Sequence, residues 1–129
     1  MKMWLKFVIS GILIAGFIIF IIASLWIGSD VRKYCRDAKK VYDGDCVTVL
    51  SEMVDDKSMP PVYRNNAIWA LGQLGDPRAI TYLNKYYTGI IPEKENPNTV
   101  LSQYEMSKAM KLMQGGLNLP ALVWRHGID

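Results

Sequence analysis

Apolar positions along this chain follow two different patterns. From Leu5 to Ile27 they form one nearly unbroken run, in which 15 residues are Leu, Ile, Val or Phe and no charge occurs after Lys6. At about 1.5 Å per residue, a helix over the uncharged stretch is roughly 30 Å long, the thickness of a bilayer's hydrocarbon core. Downstream of Gly28 the apolar residues instead recur every three or four positions among polar ones, the period of helices with one buried face. The pattern therefore predicts an all-α chain. Residues 1–28 form a short tail and a transmembrane anchor spanning residues 5–27, and residues 29–129 form a helical domain.

Trp4 and Trp26 stand at the two ends of the run, where aromatic belts belong, and Lys2 and Lys6 can reach the headgroups. A cleaved signal peptide is the competing reading. Its apolar region is typically ~7–15 residues long and ends at a small-x-small site. This run is longer and offers no convincing site near Ala23, so an uncleaved anchor is expected. A count of Arg32, Lys33, Arg36, Lys39 and Lys40 favours a cytoplasmic domain, but Lys2 and Lys6 in a very short positive tail are the common layout of a signal anchor with its N-terminus inside, so a cytoplasmic N-terminus and an extracytoplasmic domain are expected. Gly11 with Ala15, and Ser24 with Gly28, are small pairs at the spacing that lets membrane helices approach closely.

In the domain, Gly28-Ser29 is expected to break the membrane helix, with Ser29 capping a polar helix over residues 30–42. Asp43-Gly44-Asp45 forms a turn, and Asp45 caps a helix over 46–54 with Val47, Leu50 and Val54 on its inner face. Pro60-Pro61 opens the next helix, whose face is Val62, Ala67, Ile68, Ala70, Leu71 and Leu74. Gly75 ends it, and Asp76 and Pro77 start a partner helix reaching Thr88 with Ala79, Ile80, Leu83 and Tyr87 inward. Trp69 is assigned to the core with Tyr87. Residues 89–101 are loop. Ser102-Gln-Tyr-Glu105 is a capping box preceding a stripe of Met106, Ala109, Met110 and Met113. Gly115-Gly116 ends that helix, and Asn118 caps a last one over 119–126. These pair into about three helical hairpins. Gly44-Asp45 and Gly75-Asp76, 31 residues apart, mark equivalent turns, as in stacked repeats.

The segment Arg64-Asn-Asn-Ala67-Ile-Trp-Ala70-Leu71-Gly72-Gln-Leu74-Gly75-Asp76-Pro77-Arg78-Ala79-Ile80 resembles the HEAT-like repeat of the phycobilisome-lyase type. The resemblance implies a short α-solenoid and a protein-binding role, not lyase chemistry. It also implies structural duties for Arg64, Gly72, Gly75 and Asp76. Because it is commonest in prokaryotic proteins, it implies a prokaryotic inner membrane.

The formal net charge of +3 is small and dispersed, which argues against a nucleic-acid partner. The two cysteines, Cys35 and Cys46, leave three options open: a disulfide closing the first hairpin, two buried thiols, or metal and redox chemistry. The single histidine, His126, fits the end of the last helix, and a metal site built on His126 and Asp129 lacks further ligands. No phosphate loop, calcium loop or nucleophile elbow occurs. The expectation is of no enzyme, no cofactor and no evident small-molecule substrate. Arg32, Arg36, Lys39 and Lys40 share a side of the juxtamembrane helix and are candidates for contact with anionic lipid. Tyr82, flanked by Arg78 and Lys85, is the candidate partner-binding residue. These features lead to the expectation of a membrane-tethered scaffold with an unidentified protein partner. The alternative is a small subunit assembled into a larger membrane complex through its span.

Overall fold

In a computed structural model, which describes residues 1–128, the chain is all-α. Asp129, and with it the carboxylate considered beside His126, lies outside the described residues. The helices are α1 (Lys2–Ala38), α2 (Cys46–Asp55), α3 (Pro61–Leu74), α4 (Ile80–Asn84), α5 (Gln103–Met113) and α6 (Ala121–Trp124), with a 3₁₀ turn at Pro77–Ala79. Among the described residues there is no strand.

The first departure from expectation is in the long N-terminal helix. Gly28-Ser29 does not break the helix, and Ser29 caps nothing: α1 runs unbroken through both for 37 residues. Gly28 serves another purpose. A Cβ there would lie 2.5 Å from Cβ and Cγ of Trp124, so only glycine lets α6 approach. Residues Ser24, Gly28, Val31, Cys35 and Ala38 form the buried stripe of α1, spaced by four, three, four and three positions. Upstream of it every residue from Met1 to Phe20 is exposed. One helix thus carries two patterns: an uncovered apolar rod, then a face buried in the domain. The second small pair, Ser24 and Gly28, is buried, with Trp124 of α6 lying on Gly28.

α1 also ends four residues earlier than Tyr42. Cys35 therefore lies in its last turn and Cys46 is the first residue of α2, which brings their Cα atoms to 5.2 Å in a disulfide. Closing a loop with this separation of 11 residues stabilises the fold by about 3 kcal/mol through the unfolded chain. Asp45 caps α2 as expected, accepting from the Thr48 amide at 2.8 Å. α2 is buried almost all round, since Cys46, Val49, Ser51 and Met53 join Val47, Leu50 and Val54.

α3 sits at the centre, between α1, α2 and α5. Its burial is more than an apolar face. Arg64 and Asn65 are buried too, while Val62 faces outward. Arg64 Nε donates to the Val54 carbonyl at the end of α2, 2.8 Å away, and its guanidinium lies over the Tyr86 ring at 5.1 Å. Gly72 lets α5 approach: a Cβ would lie 2.8 Å from the Ala109 Cα. Gly75 ends α3 at φ 67°, and Asp76 caps the following turn through the Arg78 amide at 2.9 Å. Arg125 adds a cap that the sequence did not signal, donating to the Gln73 carbonyl at 2.6 Å.

The partner helix stops at Asn84 instead of Thr88. Gln103 takes over its backbone groups, donating to the Tyr86 carbonyl at 3.0 Å and accepting from the Thr88 amide at 2.8 Å. α5 starts at the Ser102 cap, whose hydroxyl accepts from the Glu105 amide at 3.1 Å. Its carboxylate partner is Glu95 from the loop, not Glu105. Met106, Ala109 and Met113 are buried and Met110 half-buried, so the methionine stripe is core. The last helix is also shorter than expected, Ala121–Trp124, which leaves His126 exposed beyond its end. The arrangement is compatible with three helical hairpins.

Candidate functional site

The residues that order the loop 89–101 also create a cleft. Asn65 is the centre of this order. Its Nδ2 donates to the Pro97 and Val100 carbonyls, both at 2.8 Å, and its Oδ1 accepts from the Ser102 amide at 2.8 Å. Glu95 accepts from the Gln103 amide and the Ser102 hydroxyl, each at 2.6 Å. Burial works to raise the Glu95 carboxyl, but these bonds and the Tyr104 amide hold it below its ordinary value. A carboxylate at a helix N-terminus is also favoured by the helix dipole.

Between this loop, α3 and the start of α5 opens a cleft of ≈ 530 Å³. Trp69, Ile91, Pro92 and Tyr104 supply its apolar and aromatic lining, and Glu93 and Glu105 stand on it as carboxylates. Trp69 is therefore not sealed in the core as its helix position predicted. It is half-buried, with its ring 6.0 Å from that of Tyr34 on α1 in an edge-on contact. Tyr87, the other aromatic assigned to the core, is also half-buried. Tyr104 is 52% exposed, under the Lys108 ammonium at 4.7 Å. Glu105 pairs with Lys108 at 3.1 Å, whereas Glu93 has no ion pair among the described residues.

The sequence-derived candidates are placed differently. Tyr82 is half-buried and sits below the Lys85 ammonium, 5.0 Å from its ring centroid. Lys85 itself pairs with Asp55 at 2.7 Å, at the end of α2. Arg78 turns to the other end of α2, pairing with Asp45 and Asp76, each at 3.0 Å. The structure thus joins Tyr82 with Lys85 but directs Arg78 away. Both bases stitch the α4 side to α2 by surface ion pairs, each worth about 0–1 kcal/mol.

Arg32, Arg36 and Lys39 line one hollow with Gly127 and Ile128. Arg32 also donates to the Trp124 carbonyl at 3.2 Å, and Lys40 pairs with Asp37 at 2.7 Å. Cys35 and Cys46 line the same hollow as a disulfide.

Two carboxylates at the ends of α2 respond to acid. Asp45 is lowered from 3.8 to about 2 by the Thr48 amide and hydroxyl and by Arg78. Asp56 is lowered from 3.8 to about 2 by the Ser58 hydroxyl, the Tyr42 hydroxyl and the Ser58 amide. The same contact, together with burial as the larger cause, pushes Tyr42 up to about 12. A depressed carboxyl stabilises the fold fully above its unfolded value and loses that contribution as pH falls through the folded one. Stability should therefore drop between about pH 4 and pH 2. Urea midpoints in detergent, followed by far-UV circular dichroism, measure this. The double variant Asp45→Asn, Asp56→Asn should flatten the acid limb. Asn caps about as well as Asp, so α2 remains formed.

The fold and its packing define the chain as a helical protein built around a repeat-like hairpin. Residues 63–87, covering nearly all of α3 and the whole of α4, match the family model of the PBS lyase HEAT-like repeat. The chain therefore carries a HEAT-like repeat, a type of unit that serves as a scaffold for protein interaction. No curated protein and no solved structure matches it significantly. Its N-terminal helix is apolar and long enough to cross a membrane, a property that a signal sequence shares.

Proposed function

We propose that this protein is a membrane-tethered interaction module and not a catalyst. α1 holds the helical domain at a membrane surface, and the cleft beside Trp69 receives an extended segment of a protein partner. The carrying observation is that cleft, with Trp69, Ile91, Pro92 and Tyr104 as apolar contacts and Glu93 as a carboxylate on its rim without an ion pair among the described residues. Its chemistry suits a segment with apolar side chains and a neighbouring Lys or Arg. Anchoring raises the partner's effective concentration by confining both molecules to one surface. The Cys35–Cys46 disulfide supports placing the domain on the oxidising, extracytoplasmic side of a prokaryotic inner membrane.

A second reading, a subunit joined to a larger complex through its span, is favoured by one feature. A Cβ at Gly11 or Gly16 would meet nothing within 4 Å, so that small-residue surface of α1 is uncovered. Photo-crosslinking in native membranes separates the two, with a probe at Tyr104, Tyr82 or Gly11. Capture of one protein species at Tyr104, lost on Trp69→Ala, supports the cleft. Capture at Tyr82 alone moves the binding surface to α4, and capture at Gly11 alone favours the subunit reading.

A further inference from the structure

The stripe of α1 covered by the domain begins at Ser24, inside the apolar run that ends at Ile27. α6 and the residues before it therefore lie beside the last turns of that run, not beyond them. Gly28 abuts Trp124, and Ser24 is 0% exposed. One turn earlier, Phe20 shares a hollow of ≈ 340 Å³ with Leu117, Leu119 and Pro120. Around it, Leu117 is 82% exposed, Leu119 50% and Leu122 67%. They belong to a stretch, residues 115–124, that contains no charged side chain.

A single exposed leucine needs no explanation. Here Leu117 and Leu119 share the Phe20 hollow and are continuous through it with the exposed apolar surface of the rod, and Leu122 adjoins them, its amide donating to the Leu119 carbonyl at 3.1 Å. Whatever solvates Phe20 borders them as well. For a span, that solvent is lipid.

We propose that residues 117–122 form a second membrane contact, with Leu117, Leu119 and Leu122 entering the boundary between headgroups and acyl chains beside α1. This rests on α1 being a membrane span. The segment behaves as an interfacial anchor, held at a fixed depth because Trp124 locks it against Gly28. Two attachments, one through the bilayer and one into its surface, set which side of the domain faces lipid. The Gln73 end of α3 faces the membrane, since Asn118 donates to the Gln73 side chain at 2.9 Å. The loop held by Asn65 lies at the other end, roughly 12 Å along the helix axis.

The test uses the full chain in vesicles of phosphatidylcholine and phosphatidylglycerol. Nitroxide labels are placed by Leu119→Cys or Leu122→Cys, with Ile14→Cys reporting the span and Ile90→Cys reporting an exposed apolar site on the Asn65-held loop. Only protein with the native disulfide and wild-type far-UV dichroism is compared. The ratio of collision rates with oxygen and with a water-soluble nickel chelate reads depth. The proposal expects a ratio several-fold higher at 119 and 122 than at 90, and highest at 14. A water-like ratio at 119 and 122 with a lipid-like one at 14 overturns the second contact and leaves the tether standing. A water-like ratio at 14 overturns both. A ratio at 90 equal to that at 119 also overturns it, because the domain then lies on the surface without this contact.

Discussion

Trp124→Ala is expected to lower the unfolding free energy by about 3–5 kcal/mol, the usual result of truncating a large buried aromatic. Trp124 is 2% exposed, and its ring lies against Gly28, where even a methyl group has no room. It joins the C-terminal segment to α1, helped by the Arg32 bond to its carbonyl. Against a typical total of about 5–15 kcal/mol, such a loss takes a large part of the domain's stability. Urea unfolding in detergent micelles measures it. A loss below about 1 kcal/mol would mean that the segment collapses around the gap and that this contact is not central. Disulfide formation between Cys35 and Cys46 should be unaffected, since they join α1 to α2.

The second large effect is expected at Gly72. Gly72→Ala removes a glycine from the last turn of α3, a change that in an exposed helix adds up to about 1 kcal/mol of stability. Here the new Cβ would meet the Ala109 Cα at 2.8 Å and its Cβ at 2.9 Å. Those atoms belong to the body of α5, so a whole helix must shift, at a cost of about 1–3 kcal/mol. The steric term offsets that gain, and a net loss of up to about 2 kcal/mol is expected from the same urea experiment. Gly72→Leu should lose more. A stabilised Gly72→Ala protein would show that α3 and α5 are not in such close contact.

These two glycines illustrate what the chain made legible. Gly72 lies in the repeat motif, and its packing role followed from the resemblance. Local signals at Asp45, Gly75, Asp76, Pro77 and Ser102 also placed their turns and caps correctly, because each acts on backbone groups two or three residues away. Gly28, beside Ser29, reads locally as a helix breaker, but α1 runs through it. Its neighbour, Trp124, is far along the chain, and nothing local distinguishes a glycine that ends a helix from one that admits a ring. The carboxylate at the start of α5 was assigned to Glu105 by spacing, but Glu95 reaches it because Asn65 folds the loop back. The cleft shares that origin. Its lining comes from α3, the loop and α5, and the loop's path is fixed by side-chain bonds that leave no periodic trace. Tyr82, Arg78 and Lys85 looked like one patch on a helical wheel, yet carboxylates at opposite ends of α2 draw the two bases apart.

The unbroken course of α1 has a mechanical consequence. A helix of 37 residues is a rod of roughly 55 Å, and this one has no joint where it leaves the apolar run. In the tethered arrangement, any lean of the rod in the bilayer becomes a lean of the whole domain. Membrane helices typically lean by about 20°, and more where the bilayer is thin. Bilayer thickness then steers the direction in which the Trp69 cleft looks across the surface. The lipid environment would set which neighbours the module can reach.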